Sequence, residues 1–176
     1  YQKDTVLAIR MQQHQHTRGG QEYYFTSGIA QLKQVFTYGY FEASIRASSK
    51  GQGTCPAFWV YSVNQPVPTE EQGVQYSEID AVEIFQVPNQ YKHLEMNLHT
   101  RVLENGALVW KRPGTKYTEL CHNEWNAPWD PRDEYHTYGV WNRLDSIFWY
   151  VDGLQRGAKK NEYWHLPMYL TVSMGL

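Results

Sequence analysis

Apolar and polar residues along the chain do not repeat with helical spacing over any sustained stretch. Short runs rich in Val, Ile, Tyr, Phe, Trp and Thr take their place. They cover residues 5–11, 22–31, 36–47, 57–62, 77–87, 93–101, 107–112, 136–141, 146–152 and 168–174. Runs of this length and composition, bounded by turn formers, predict strands. Asn105-Gly106 and Asp152-Gly153 are strong hairpin signals, because both central residues of a tight turn need positive φ. The Pro-containing stretches 64–69 and 126–131 read as loops. About ten strands without an intervening helix predict an all-β fold, an antiparallel sandwich of the jelly-roll type. Such sheets curve, and a concave face makes a cleft long enough for a polymer.

One run carries more charge than a half-buried strand needs. Glu78-Ile79-Asp80-Ala81-Val82-Glu83 puts three carboxylates into six residues. Alternation places Glu78 and Asp80 on one face and Ile79 on the other. Continued without a break, it places Glu83 with Ile79. A carboxylate buried among apolar residues costs several kcal/mol. One extra residue at Ala81 or Val82, a β-bulge, moves Glu83 to the face of Glu78 and Asp80 and Ile84 to the face of Ile79. The apolar phase therefore predicts the bulge.

Three carboxylates on one face repel, and at least one pKa must rise. That suits a catalytic pair in which one group stays ionised and another holds a proton. Retaining glycosidases use two carboxyls about 5–5.5 Å apart. Same-face residues step about 6.5–7 Å along a strand, so strand twist and inward lean are needed to bring the pair together. Two other readings fit the spacing alone: a solvated acidic strand, and a calcium site, since alternating carboxylates also bind calcium.

Composition narrows the partners. The 176 residues suffice for one substantial core. Sixteen basic against eighteen acidic residues give no global pull toward nucleic acid or membrane. Seven Trp and fourteen Tyr fit β-structure and also fit sugar binding, where flat rings stack on pyranose faces. No apolar run approaches the ~20 residues of a helical membrane span. Cys55 and Cys121 read as two buried thiols or as a disulfide in an oxidising compartment, with free thiols slightly favoured. His14 and His16 have metal-like spacing, but no further ligand stands nearby, and the segment reads as a polar edge strand.

The carboxylate run, with Tyr38-Gly39-Tyr40-Phe41-Glu42-Ala43 and Pro56-Ala57-Phe58-Trp59 upstream, resembles the bulged active-site motif of glycoside hydrolase family 16. Downstream, Asn97-Leu98-His99, Trp110-Lys111-Arg112-Pro113-Gly114, Asp130-Pro131-Arg132, Trp149-Tyr150-Val151-Asp152-Gly153 and Tyr163-Trp164-His165 are similar to the κ-carrageenases within that family. Agarases, porphyranases and furcellaran-cleaving enzymes share parts of the pattern. The resemblance implies a concanavalin-like jelly roll and endo-hydrolysis of the β-1,4 linkages of a sulfated red-algal galactan with retention. It implies Glu78 as nucleophile, Asp80 as the group that orients and tunes it, and Glu83 as acid/base. It implies further strands before Tyr1 and after Leu176, so that residues 1–176 are one catalytic domain lacking its terminal strands.

The same resemblance places Trp110 and Arg112 in the cleft. Two apart, they share a strand face, and a guanidinium beside an indole suits a sulfated sugar. A surface Arg packed over a Trp is the plain structural alternative. His99, on the strand expected next to the catalytic one, is a candidate partner for substrate or carboxylate. Trp59 is a candidate stacking platform or a core residue, and Gln86 is expected at the cleft edge. No resident metal or cofactor is expected; structural calcium is allowed by the pattern but not indicated. A secreted, extracellular or periplasmic monomer is expected, although no signal peptide is present in this chain. A non-catalytic galactan-binding module on the same sandwich is the alternative from another class, and it has no need for two carboxylates flanking Asp80.

Overall fold

A computed structural model describes residues 2–48, 51–62 and 73–175. The loop expected at 64–69 lies outside the described residues. Strands dominate. The first half holds β1 (Gln2–Lys3), β2 (Val6–Leu7), β3 (Gln12–Arg18), β4 (Gln21–Thr26), β5 (Ile29–Phe36), β6 (Gly39–Ile45), β7 (Cys55–Tyr61) and β8 (Val74–Glu83). The second holds β9 (His93–Glu95), β10 (Leu98–Glu104), β11 (Ala107–Lys111), a single helical turn α1 (Thr118–Cys121), β12 (Glu124–Asn126), β13 (His136–Asn142), β14 (Ser146–Val151), β15 (Leu154–Lys160) and β16 (Met168–Gly175).

The strands form the antiparallel jelly-roll sandwich. One sheet runs β11-β10-β8-β7-β16-β5, with β9 paired to β8 and β12 to β9. The facing sheet runs β15-β14-β13-β6. Between them lies a core of Phe58, Val60, Ile79, Val82, Ile84 and Leu98 from the first sheet and Tyr138, Val140, Ile147, Trp149 and Val151 from the second. These residues sit at alternate positions of their strands, so each strand turns its other face outward. The outward face of the first sheet carries the candidate chemistry.

Both hairpin signals are realised. Asn105 and Gly106 take φ of 50° and 77° between β10 and β11. Asp152 and Gly153 take 49° and 72° between β14 and β15. Other boundaries differ from the pattern. The run 22–31 is two strands, broken at Ser27-Gly28. The run 93–101 is also two, because Met96 and Asn97 leave the ladder. Their backbone groups pair with Asn123 and Asp80 instead. Of 5–11 only β2 is strand. Residues 12–18 do form a polar edge strand, paired among the described residues with β4. There the rings of His14 and His16 stack on each other with centroids 5.1 Å apart.

Candidate active site

The bulge lies where the apolar phase requires it. Trp59 pairs with Asp80 and Phe58 with Val82, so Ala81 is the extra residue of β8. Beyond it Glu83 faces Ala57. Ile79, Ala81, Val82 and Ile84 are all in the core. Glu78, Asp80 and Glu83 consequently share the outward face.

Neighbouring strands build that face in rows. Tyr61, Glu78 and His99 are in register across β7, β8 and β10. Tyr76, Arg101 and Trp110 form the next row across β8, β10 and β11. On the other side Ala57, Glu83, Glu95 and Glu124 align across β7, β8, β9 and β12. The strand is held from beneath by two indoles of the core. Trp149 Nε1 donates to the Asp80 carbonyl at 2.8 Å. Trp164 Nε1 donates to the carbonyls of Glu78 and His99, at 2.9 and 3.0 Å.

Burial and mutual repulsion set the electrostatics. Asp80 is only 3 % exposed. Its Oδ2 is 3.2 Å from His99 Nε2, off good hydrogen-bond alignment, and has no aligned protein donor. Burial raises its pKa, against the pull of His99. Glu78 Oε1 lies 3.7 Å from the same imidazole nitrogen, and the Tyr76 hydroxyl donates to Glu78 Oε2. Burial, then the charge of Asp80, push Glu78 up to about 7, although His99, Tyr76 and Arg101 favour its ionised form. Glu83 has fewer compensating partners. Burial and Asp80 push it to about 8, with Glu78 and Glu95 adding to the rise. Burial pulls the His99 pKa down, but the carboxylates around it more than offset this and leave it raised. The arrangement places the His99 imidazole between Glu78 and Asp80 and leaves Glu83 with fewer groups that favour its ionised form. Glu78, Asp80 and His99 are also close enough to hold a cation together. An imidazole in that set disfavours calcium, which takes six to eight oxygens.

The remaining sequence candidates fall out as follows. Trp59 is on the outward face opposite Asp80, stacked on Tyr61 at 4.3 Å and donating from Nε1 to Ser173. It is not a core residue. Trp110 and Arg112 lie at the open side of β11, with the guanidinium 4.7 Å from the indole centroid. The expectation for Gln86 is corrected. It is buried, 2 % exposed, because its backbone pairs with Gly53 and Thr54 and the turn at 51–54 covers it. Cys55 and Cys121 are free thiols, both buried. Cys55 Sγ points at Glu83 Oε1 across 3.9 Å.

Two residues of the site had no signal in the chain's pattern. Arg101 sits between the rings of Tyr76 and Trp110, 4.8 and 5.1 Å from their centroids. Only the β10–β11 register brings it beside Trp110. Glu95 faces Glu83 through the short pairing of β8 with β9.

A bulged strand of three carboxylates on the outward face of a jelly roll can hold an ionised and a protonated carboxyl side by side. The sequence profile described as glycosyl hydrolases family 16 matches residues 1–175, and the chain belongs to that family. The κ-carrageenase of Pseudoalteromonas carrageenovora is 46% identical over 153 residues, covering 87% of this chain and 38% of that protein. The crystal structure of that organism's κ-carrageenase in complex with an oligotetrasaccharide of κ-carrageenan superposes with a TM-score of 0.86 at 40% identity. It covers 96% of this chain and 65% of the other. The κ-carrageenase of Zobellia galactanivorans gives a TM-score of 0.83 at 42% identity, covering 96% of this chain and 62% of the other. The chain thus spans less than two thirds of the length of each of these relatives.

Proposed function

We propose that this chain carries the active site of an endo-acting, retaining glycoside hydrolase that cleaves β-1,4 linkages of a sulfated red-algal galactan, κ-carrageenan before others. The observation that carries the reading is the pair Glu78 and Glu83 flanking Asp80 on the outward face, one side of the bulge each. The κ-carrageenases to which the chain is similar support the choice of polymer.

The reaction is a double displacement. Glu83, protonated, gives its proton to the glycosidic oxygen as that bond breaks. Glu78, ionised, attacks the anomeric carbon and forms a glycosyl ester. Glu83, now a carboxylate, takes a proton from water as the water attacks the same carbon and releases Glu78. The surroundings suit these roles, since His99, Tyr76 and Arg101 favour the ionised form of Glu78 while burial and Asp80 favour the protonated form of Glu83. Asp80 and the His99 imidazolium hold Glu78 in place and share its charge. No metal or cofactor is needed for either displacement.

Trp59 and Tyr61 offer a stacked aromatic floor to a sugar ring beside the carboxylates. Arg112 and Arg101, both over the Trp110 indole, supply a guanidinium pair for a sulfate. A polymer of this size does not cross membranes, so the enzyme acts outside the cytoplasm.

Full-length protein incubated with κ-, ι- and β-carrageenan, agarose and porphyran, followed by product sizing, tests the reading. Short sulfated oligosaccharides from κ-carrageenan, with neutral agarose left intact, are expected. Cleavage of agarose in preference would point to an agarase-type enzyme, and binding without cleavage to a galactan-binding module.

A further inference from the structure

Beside the carboxylate strand lies a second cluster that takes no proton or bond in either displacement. β9 and β12 pair with Glu95 opposite Glu124 and Asn126 opposite His93. His93 precedes Glu95 by two residues on β9, and His122, at the end of α1, precedes Glu124 by two. Leu94, between His93 and Glu95, is fully buried in the core, which puts its neighbours on the outward face. The row Glu83, Glu95, Glu124 places three carboxylates side by side across neighbouring strands. Like charges directly opposite destabilise a sheet unless a cation intervenes.

The donor atoms converge. One ligand atom each from His93, Glu95 and Glu124 lies within 4.8 Å of the others. His93 Nε2 is 2.9 Å from Glu95 Oε1 and 3.5 Å from Glu124 Oε2. His122 Nε2 is 3.2 Å from Glu95 Oε2 and 3.3 Å from Glu124 Oε2. A tetrahedral ion with ligands at about 2.0–2.2 Å has ligand–ligand edges of roughly 3.3–3.6 Å. His93 Nε2 to Glu124 Oε2 and His122 Nε2 to Glu124 Oε2 are close to such edges before any ion is present.

The surrounding shell matches as well. His93 Nδ1 is 3.2 Å from Asn126 Oδ1, and donation there leaves the Nε2 lone pair facing the carboxylates. Asn97 Nδ2 donates to Glu95 Oε2 at 2.9 Å, fixing that carboxylate. Metal-binding imidazoles and carboxylates are held by such outer hydrogen bonds. The Glu124 side chain is 48% exposed, so an ion has a path in from solvent.

We propose that His93, Glu95 and Glu124 form a binding site for a divalent ion of the zinc class, on the outward face one strand from Glu83, with His122 beside the two carboxylates. An imidazole with two carboxylates suits zinc, cobalt or nickel, and does not suit calcium, which wants an all-oxygen shell. The alternative is a closed cluster of imidazoles and carboxylates that hydrogen-bond to one another and need no ion.

Titration calorimetry of EDTA-treated, dialysed full-length protein separates the two. Zinc chloride should bind with one equivalent saturating the site and a Kd on the order of micromolar or tighter. His93→Ala and the isosteric, folding-neutral Glu124→Gln should each weaken binding at least about tenfold, and Asn126→Leu should weaken it by a similar factor through the outer shell. His14→Ala should leave it unchanged. Circular dichroism of each variant checks the fold. Absence of saturable zinc binding, zinc binding that survives His93→Ala and Glu124→Gln together, or calcium binding in its place would each overturn the proposal.

Discussion

His99 Nε2 lies 3.2 Å from Oδ2 of the buried Asp80, the only cationic group placed against that oxygen among the described residues. The same nitrogen reaches toward Glu78, and its charge favours the ionised form of that carboxyl. Glu78 must lose its proton for attack, so activity rises with pH through its pKa. Removing the imidazolium raises that pKa further. His99→Ala should lower kcat by about 10–100-fold and move the acidic limb of the kcat/KM profile to higher pH. A profile unshifted in this variant would show that His99 does not tune Glu78.

Glu83 makes a matching prediction about stability. Its folded pKa is raised to about 8 from an ordinary carboxylate value, first by burial and then by Asp80. A raised folded pKa means the native state binds the proton more tightly than the unfolded chain does. The associated stability is fully present at acidic pH and is lost as pH rises through the folded value. Glu83→Gln removes that loss. Its melting temperature should exceed that of the parent at pH 9, by a stabilisation on the order of 1–2 kcal/mol, and the gap should shrink at pH 5. A gap independent of pH would contradict the assignment of the buried, raised carboxyl to Glu83.

The guanidinium pair on Trp110 predicts a split between substrates. Charge-assisted hydrogen bonds to sulfate contribute about 1.5–3 kcal/mol each. Arg112→Ala should raise KM for κ-carrageenan by roughly tenfold or more with a smaller change in kcat. Binding to neutral agarose oligosaccharides should not change. Arg101→Ala should affect kcat as well, because Arg101 also favours ionised Glu78. Equal losses on sulfated and neutral sugars would remove the sulfate-reading role.

Both thiols are inaccessible. Burial pushes Cys121 up to about 12 and raises Cys55 still further, where Glu83 and Asp80 add to the effect. Native protein should therefore react negligibly with a thiol reagent at neutral pH, and denatured protein should yield both thiols. A fast-reacting native thiol would contradict the packing around one of them.

Much of this site is legible in the chain. The apolar phase of Ile79 and Ile84 requires a bulge between Asp80 and Glu83, and the pairing of Phe58 and Trp59 puts the extra residue at Ala81. Asn105-Gly106 sets a turn, and the turn sets the register of β10 on β11. What escapes the linear pattern depends on pairing between distant segments. Arg101 meets Trp110 only through that register. His93 and Glu124 meet only because β9 and β12 pair. Gln86 follows the catalytic run and reads as a cleft residue, but the turn at 51–54 closes over it. The break at Met96-Asn97 is invisible in a continuous apolar run, because it is made by hydrogen bonds to Asn123 and Asp80.

The central claim is that Glu78 is the nucleophile of a retaining hydrolysis. Reducing-sugar release from κ-carrageenan by full-length protein and by its Glu78→Ala variant tests it most directly. The account predicts loss of at least about a thousandfold in rate, in a variant that still folds and still binds the polymer. Release at an unchanged rate would contradict it.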